Sequence, residues 1–487
     1  MSRPKLKDMI IILPGILGSV LQKNGKDVWA PSFQAVGQLL QTGFSSLHEL
    51  ALQDDDPELE FLDDGVRAAR IFQDVHLIPG FYKIDGYTGL GEILKAHFAN
   101  VIEGSLEHGQ PANYFEFPYD WRRDNRAAAH KLKRLIDKRL PIWREYSGAD
   151  DAQVILIGHS MGGLVSSYYL EVLQGWSNCR ALITFGTPFA GAPQALGYLV
   201  NGYKQLFVDL SNLLRSLTSA YQILPMYKMI QTEAGLKRAV DIDNLPNLSL
   251  ERIRNGRRFF EEIQEAAVAN RQQPHWQQNP YQLIPIVGTK QATTLSATWA
   301  NGRLTVSNQA FDQAQINQGL ADGDGTVPRL SAIPPSFLGD YQEAFVFDRH
   351  STMQNNLQTL AALVERINHL QNPELNTLLE FESWSGKGIP LSLEIDDAYM
   401  ENEPVAVSIS PANAEPITLD AVTAEVASVA QPTIRQEVPL RSHGPTWQVT
   451  LTNLQPGAYR LGVAGRVGDQ IVTHPLEEIF VITPAST

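Results

Sequence analysis

Val154-Ile155-Leu156-Ile157-Gly158-His159-Ser160-Met161-Gly162-Gly163-Leu164 is the stretch that decides the fold. Four apolar residues suited to a buried strand run into a serine with a glycine two positions to either side. Beyond it Leu164, Tyr168 and Val172 recur at helical spacing. Strand, sharp turn and helix follow from that order. The glycines let neighbouring chains approach closely while the turn lifts the serine hydroxyl above the sheet, which is the geometry of a nucleophile elbow. A bare Gly-x-Ser-x-Gly recurs by chance in many proteins, and it is the strand before and the helix after that give this one meaning.

The same texture extends outward. Up to about residue 372, short β-branched runs alternate with longer helical patterns, the signature of a parallel sheet covered on both faces. Strands are predicted at residues 10–13, 114–117, 154–157, 182–185, 283–287 and 344–347, each followed by Gly, Pro or a polar turn. Residues 125–146 are predicted to form a surface-covering helix, since Leu132, Leu135, Ile136 and Leu140 recur with Lys and Arg between them.

Two insertions break the rhythm, residues 23–73 and 200–278, rich in helical pattern and without an obvious sheet strand. Such insertions usually sit over strand C-termini, so the first is expected to be a lid and the second a cap. Trp29, beside Pro31, is the residue of the lid expected to touch substrate. Tyr198, Tyr203, Phe207, Leu213 and Leu214 read either as ordinary packing or as an apolar acyl-chain channel.

After Pro373 the pattern changes. From residue 388 there is no lysine, and twelve acidic residues face four arginines, so this end carries -8 of the total charge of -14. Residues 405–410, 446–451 and 459–463 alternate apolar and polar between Pro, Gly and Asn turns, as in a small β-sandwich. The run Leu454-Gln455-Pro456-Gly457-Ala458-Tyr459 resembles the turn into a late strand of immunoglobulin-like domains. The expected division is a catalytic domain over residues 1–375 and a sandwich over 385–487. Every candidate catalytic group precedes the sandwich, which is therefore expected to be dispensable for hydrolysis of a short soluble ester.

With 487 residues, 43% of them hydrophobic, the chain is long enough for two cores. A net charge of -14 argues against a nucleic-acid partner, because phosphate binding needs a clustered cationic surface. Cys179 is the one cysteine, which excludes an internal disulfide and a cysteine-rich metal site. The eleven histidines lack the i, i+4 pairing of zinc ligands, so neither metal nor cofactor is expected. The apolar run at residues 10–15 is too brief for a secretory h-region, and no stretch approaches the roughly 18 apolar residues of a membrane span, so a cytoplasmic location is expected.

A serine hydroxyl is a poor nucleophile until an imidazole accepts its proton and a carboxylate orients that imidazole. Behind an elbow of this kind the chain order is nucleophile, acid, base. Asp324, in Ala321-Asp322-Gly323-Asp324-Gly325-Thr326, and His350, after the strand predicted at 344–347, supply acid and base in that order. Each has a plainer reading: Asp-Gly pairs are turn formers, and His350 precedes a helical pattern. Three groups in the expected order make coincidence improbable. His369 is the rival base, but lies inside a helical run; His159 should face away from the serine hydroxyl. Backbone N–H donors for the tetrahedral intermediate are expected at Met161, just after the serine, and at Ile16 in the loop after the first strand.

The motifs together resemble the lecithin:cholesterol acyltransferase and phospholipid:diacylglycerol acyltransferase family, which includes lysosomal phospholipase A2. The resemblance rests on Leu13-Pro14-Gly15, Leu17-Gly18-Ser19, Pro118-Tyr119-Asp120-Trp121-Arg122, the elbow, Gly186-Thr187-Pro188 with Gly191, Gly323-Asp324-Gly325-Thr326-Val327, and His350, in the family's order over roughly residues 10 to 370. It implies an α/β-hydrolase fold with helical lid and cap insertions, a lipid substrate, an acyl-serine intermediate, Asp324 as the triad acid, and Ile16 as an oxyanion donor. It also implies a structural ion pair between Asp120 and Arg122.

The sequence thus points to a serine-dependent lipid acyl hydrolase or O-acyltransferase acting on phospholipids or acylglycerols, with peripheral membrane contact and a sandwich free to recruit a protein partner. Two alternatives stand beside it: an esterase for small soluble esters, and a non-catalytic binding protein that retains the fold.

Overall fold

The computed structural model describes residues 3–30, 49–73, 76–78, 82–205, 208–311, 320–337, 345–372, 388–412, 419–468, 470–473 and 476–484. Six strands form the central sheet: β1 (Met9–Leu13), β2 (Tyr114–Glu116), β3 (Val154–His159), β4 (Cys179–Phe185), β5 (Gln282–Gly288) and β6 (Phe345–Val346). Their spatial order is β6-β5-β4-β3-β1-β2, and every neighbouring pair is parallel. All residues of β1 and β3 are buried, as parallel strands with both faces covered must be. The sequence-predicted strands fall on these six, apart from Ala344, which lies outside the described residues.

From β1 the chain first builds outward to β2, then returns to lay β3 on the other side of β1. The crevice beyond the carboxyl ends of β1 and β3 is therefore a topological switch point, where ligands bind in open α/β sheets. The loop after β1 begins at Pro14 and the turn after β3 is Ser160, so both open into this crevice.

Helix α1 (Asn125–Ser147) covers the sheet as predicted, burying Leu132, Leu135, Ile136, Leu140 and Trp143 along one face. The Asp124 carboxylate caps its start by accepting from the Arg126 N–H, and Gly148 at φ 69° ends it. Helix α2 (Met161–Glu171) is buried on every side, between the sheet and helix α3 (Leu250–Arg271) of the cap. Helix α4 (Leu357–Gln371) follows the loop that carries His350.

The insertions are not purely helical, which corrects the sequence reading. Ser19–Lys23, Lys26–Trp29 and Val66–Ile71 form a three-stranded antiparallel sheet. In the cap, Gly235–Lys237 and Ile230–Thr232 extend the hairpin Ser296–Ala300/Arg303–Ser307 into a four-stranded sheet. Two of the turns are Asn-Gly pairs with both residues at positive φ, Asn24-Gly25 and Asn301-Gly302. That is the two-residue hairpin turn whose twist matches the strands it joins, and it was legible in the sequence. The helical reading of the lid missed Asn24-Gly25 because the strands it joins are only four or five residues long; Asn301-Gly302 lies beyond both insertions.

The C-terminal region is a sandwich of two sheets with its own core, including Leu393, Val407, Ile409, Val422, Leu461 and Phe480. One sheet holds Leu391–Glu394, Val405–Pro411, Thr446–Leu451 and Arg441–His443; the other holds Ala398–Met400, Leu476–Thr483, Gly457–Val467, Ala421–Ser428 and Gln431–Pro439. Tyr459 donates its hydroxyl to Gln455 O at 2.8 Å, closing the turn singled out in the sequence as a tyrosine corner. The expected boundaries at 375 and 385 lie outside the described residues.

Candidate active site

Ser160 joins β3 to α2 at φ 51°, ψ -123°, a backbone conformation that costs a residue with a Cβ about 1–3 kcal/mol and persists only where the surroundings impose it. The imposing contacts are all to its backbone. Its N–H donates to Phe185 O at 2.8 Å, while its carbonyl accepts from Gly163 N–H at 3.1 Å and from the Thr187 hydroxyl at 2.8 Å. A Cβ on Gly158 would lie 2.6 Å from Gly163 N, and one on Gly162 would lie 2.4 Å from Leu13 O. The glycines that flank the serine are thus required by close approach.

Asp324 and His350 come together from two loops beyond β5 and β6. His350 Nδ1 lies 2.7 Å from Asp324 Oδ2, and His350 N–H donates to Asp324 O at 2.9 Å. The second carboxylate oxygen accepts from Thr326 N–H at 2.9 Å and Val327 N–H at 2.7 Å, so both oxygens are committed and the carboxylate cannot rotate freely. A Cβ on Gly186 would sit 2.7 Å from Asp324 Oδ2 and 2.8 Å from His350 Nδ1, which explains the glycine of Gly186-Thr187-Pro188. Asp322 is used otherwise: its carboxylate accepts from Lys290 N–H at 3.0 Å and pairs with Arg329, holding the same loop from outside.

The loop after β1 is pinned on every side. Gly18 N–H donates to Gly15 O across a turn that puts Leu17 at φ 64°. Tyr119 donates to Pro14 O at 2.8 Å, and Gly15 N–H donates to the Tyr87 hydroxyl at 3.0 Å. Ile16 lies at the centre of this turn and lines the cavity with Met161. Met161 opens α2, so its N–H is one of the four that a helix leaves without an internal partner.

His159 does not approach the site as a base; it is a strut. Its Nε2 lies 3.0 Å from His350 O and its Nδ1 3.0 Å from the Tyr87 hydroxyl. A carbonyl only accepts, so Nε2 carries the proton, Nδ1 accepts, and Tyr87 donates to it while accepting from Gly15. One chain of hydrogen bonds therefore links the loop after β1 to the backbone of the histidine loop. The sequence offered no signal for Tyr87, which is 72 residues from each of its two partners.

Burial first, and the charge of neighbouring His350 second, pull His159 from its ordinary pKa of 6.5 down to about 3, against the opposing hydrogen bond to the His350 backbone. Between those values the unfolded chain binds a proton that the folded chain refuses. Stability is therefore full above pH 6.5 and falls as the pH drops towards 3, at up to about 1.4 kcal/mol per pH unit. Denaturant unfolding between pH 6.5 and 4 should show a slope steeper in the wild type than in His159→Gln by nearly one proton. Equal slopes would mean that His159 is protonated in the native state.

Trp29 is placed differently from the expectation. Its indole is buried, donates to Leu17 O at 3.0 Å, and packs edge-on against Trp121 at 5.0 Å between centroids. It does not line the cavity and supports the loop after β1 from behind. Arg122 is fully buried and joins Asp120, Asp64 and Leu50 O, so the Asp120–Arg122 pair ties the lid segment to the body. His369 is buried in α4 away from the cavity.

Ser160, Asp324, His350, Ile16 and Met161 line one cavity of about 360 Å³. Leu17, Ala195, Leu199, Leu214 and Ile223, with Tyr198, give it an apolar lining, beside which stand the polar side chains of Gln194, Thr294, Asn308, Arg349 and Asp397. Of the other aromatic and leucine residues noted in the cap, Tyr203 and Leu213 are core residues, and Phe207 lies outside the described residues.

The parallel sheet, the elbow after β3 and the carboxylate–imidazole pair beyond β5 and β6 define an α/β-hydrolase fold. The family model for Lecithin:cholesterol acyltransferase matches residues 73–244, a span that carries Tyr119-Asp120-Trp121-Arg122, the elbow and Gly186-Thr187-Pro188. The resemblance read from the motifs is shown there; Asp324 and His350 lie beyond the match. Among solved structures, the Tle4-Tli4 complex is 14% identical, with 77% of this chain and 100% of that chain covered and a TM-score of 0.48. The mature form of the lipase BlEst2 from Bacillus licheniformis is 13% identical over 75% of this chain and 95% of its own, with a TM-score of 0.30. Phospholipase PlaB from Legionella pneumophila is 9% identical over 98% of this chain and 92% of its own, with a TM-score of 0.19. No curated protein matches the chain. The family match supports, in general terms, an enzyme of lipid esters that works by hydrolysis or acyl transfer.

Proposed function

We propose that the protein is a serine-dependent acyl hydrolase of phospholipids or acylglycerols, able to pass the acyl group to an alcohol as well as to water. The observation that carries this reading is the convergence, on one cavity of about 360 Å³, of a serine in a strained elbow and an imidazole held 2.7 Å from a carboxylate. With Nδ1–H given to Asp324, His350 Nε2 is left with a lone pair to take the Ser160 proton as Oγ attacks the ester carbonyl. The oxyanion is received by the N–H groups of Ile16 and Met161. His350 then returns the proton to the departing alcohol, leaving the acyl group on Ser160. Water, deprotonated by the same imidazole, or an acceptor alcohol releases it.

The apolar lining supports a fatty-acyl substrate over a small polar ester. A fluorophosphonate reacts only with an activated serine, so labelling confined to Ser160 separates an enzyme from a binding protein that keeps the fold. An unlabelled, folded wild type would overturn the serine reading. A cytoplasmic location, peripheral contact with a lipid surface and a protein partner for the sandwich belong to the same proposal, to be checked by fractionation and vesicle co-sedimentation.

Hydrolysis and transfer share the acyl-enzyme and differ only in the second nucleophile. Water stands at about 55 M, so transfer competes only where the pocket holds an alcohol in line. Dispersed phospholipid alone is expected to yield free fatty acid. A long-chain alcohol or diacylglycerol should then divert part of the acyl flux without raising total acyl release, the pattern that follows if acylation limits the rate and the acceptor competes with water afterwards. If labelled acyl groups appear only in free fatty acid at every acceptor concentration, transfer to those acceptors is excluded.

A further inference from the structure

The residues on either side of the proposed base are held by the C-terminal sandwich. Arg349, immediately before His350, is ion-paired through Nε with Glu478 of the strand Leu476–Thr483, and its Nη1 donates to Leu393 O at 2.8 Å in the strand Leu391–Glu394. Ser351, immediately after, donates its hydroxyl to Glu478 Oε1 at 3.3 Å, and Thr352 donates to Glu477 O at 3.4 Å. Glu478 is 0% exposed, and the same Oε1 accepts from Ile479 N–H at 2.9 Å, so its position is set by the sandwich.

A second path runs from the neighbouring strand of the same sheet. Arg460 of the strand Gly457–Val467 is ion-paired with Asp85, whose backbone N–H donates to Ser351 O at 3.0 Å. The acid loop is held likewise: buried Gln291 donates its backbone N–H to Gly323 O at 3.0 Å, while its side-chain amide donates to Leu391 O at 3.0 Å. Asp397 of the sandwich also lines the catalytic cavity.

We propose that the sandwich is part of the catalytic apparatus, with Glu478 as a positioning residue that fixes the loop Arg349–His350–Ser351 and so keeps His350 in register with Asp324. This replaces the expectation that the sandwich is dispensable, and it rests on the serine–histidine reading above. A buried carboxylate clamps a loop well because moving either partner leaves an uncompensated charge in a dry site. A misplacement of about 1 Å at a catalytic group is enough to cost about a hundredfold in rate.

The test uses the full chain, p-nitrophenyl butyrate turnover and the rate of Ser160 labelling by a fluorophosphonate, with near-UV circular dichroism as the check of folding. Glu478→Gln is expected to lower kcat by about a hundredfold, to slow labelling in parallel, and to leave KM within about threefold of the wild type. Adding Arg349→Gln, which removes the opposing charge, should recover about tenfold of that loss, because a neutral pair can hydrogen-bond without a stranded ion. If Glu478→Gln does not fold, Arg460→Met, at a side chain one-third exposed, takes its place with an expected tenfold loss in kcat. A folded variant with kcat and labelling within twofold of the wild type overturns the proposal, as does a loss confined to KM. A wild type that neither turns over the ester nor labels at Ser160 refutes the serine reading itself before any variant is compared.

Discussion

Replacing Ser160 by Ala is expected to lower turnover of phospholipid and short ester alike by more than about a thousandfold and to abolish fluorophosphonate labelling. Without the hydroxyl there is no acyl-enzyme, and the remaining N–H donors and cavity can only assist direct attack by water. The fold should survive, because the contacts that hold the elbow, from Phe185, Gly163 and Thr187, all fall on the Ser160 backbone, which alanine keeps. Alanine also keeps the Cβ, and with it the cost of φ 51°. Ser160→Gly, equally inactive, should therefore be the more stable variant by about 1 kcal/mol, measured as a denaturant midpoint. Activity retained by Ser160→Ala would sink the mechanism; a glycine variant no more stable than the alanine one would mean that the elbow carries no strain.

The elbow was readable because everything that makes it is local: a buried strand, a serine between glycines and an apolar helix within about twenty residues. The strands of the sheet were readable for the same reason, since burial on both faces leaves a continuous apolar run. What escaped was non-local or short. Tyr87 and His159 tie the loop after β1 to the loop of His350 through side chains that no spacing rule connects, and Glu478 reaches the latter loop, at Ser351, from 127 residues away. Trp29 was misread because an aromatic residue beside a proline in an insertion looks like a lid contact. In the folded chain its indole N–H needs a partner, and Leu17 O supplies one from behind the loop. The Asn24-Gly25 hairpin carried a clear signal that the helical reading of the lid overrode.

Replacing Asp324 by Asn is expected to reduce kcat/KM by about 10⁴, whereas Asp322→Asn should cost less than about tenfold. The two residues stand one glycine apart on the same loop, so the contrast tests geometry at nearly constant sequence. In the wild type Asp324 Oδ1 accepts from Thr326 and Val327 N–H, which leaves Oδ2 to accept from His350 Nδ1. An asparagine must keep its single carbonyl oxygen where the two backbone donors are, since turning it would aim an NH₂ group at them. Its NH₂ then faces His350 Nδ1 and donates to it. The imidazole is forced into the tautomer with the proton on Nε2, where it can no longer accept from Ser160, and the carboxylate charge that would stabilise the imidazolium is gone. At position 322 an asparagine still offers an oxygen to Lys290 N–H and loses only the charge opposite Arg329, in an ion pair whose carboxylate side chain is 22% exposed. Such a loss loosens the loop without altering the imidazole. The comparison is read as kcat/KM on one short ester for both variants, with fluorophosphonate labelling rates as a second measure of Ser160 reactivity. The reverse ranking would move the acid to Asp322, whose Oδ2 would have to leave both Arg329 and Lys290 N–H to reach the imidazole.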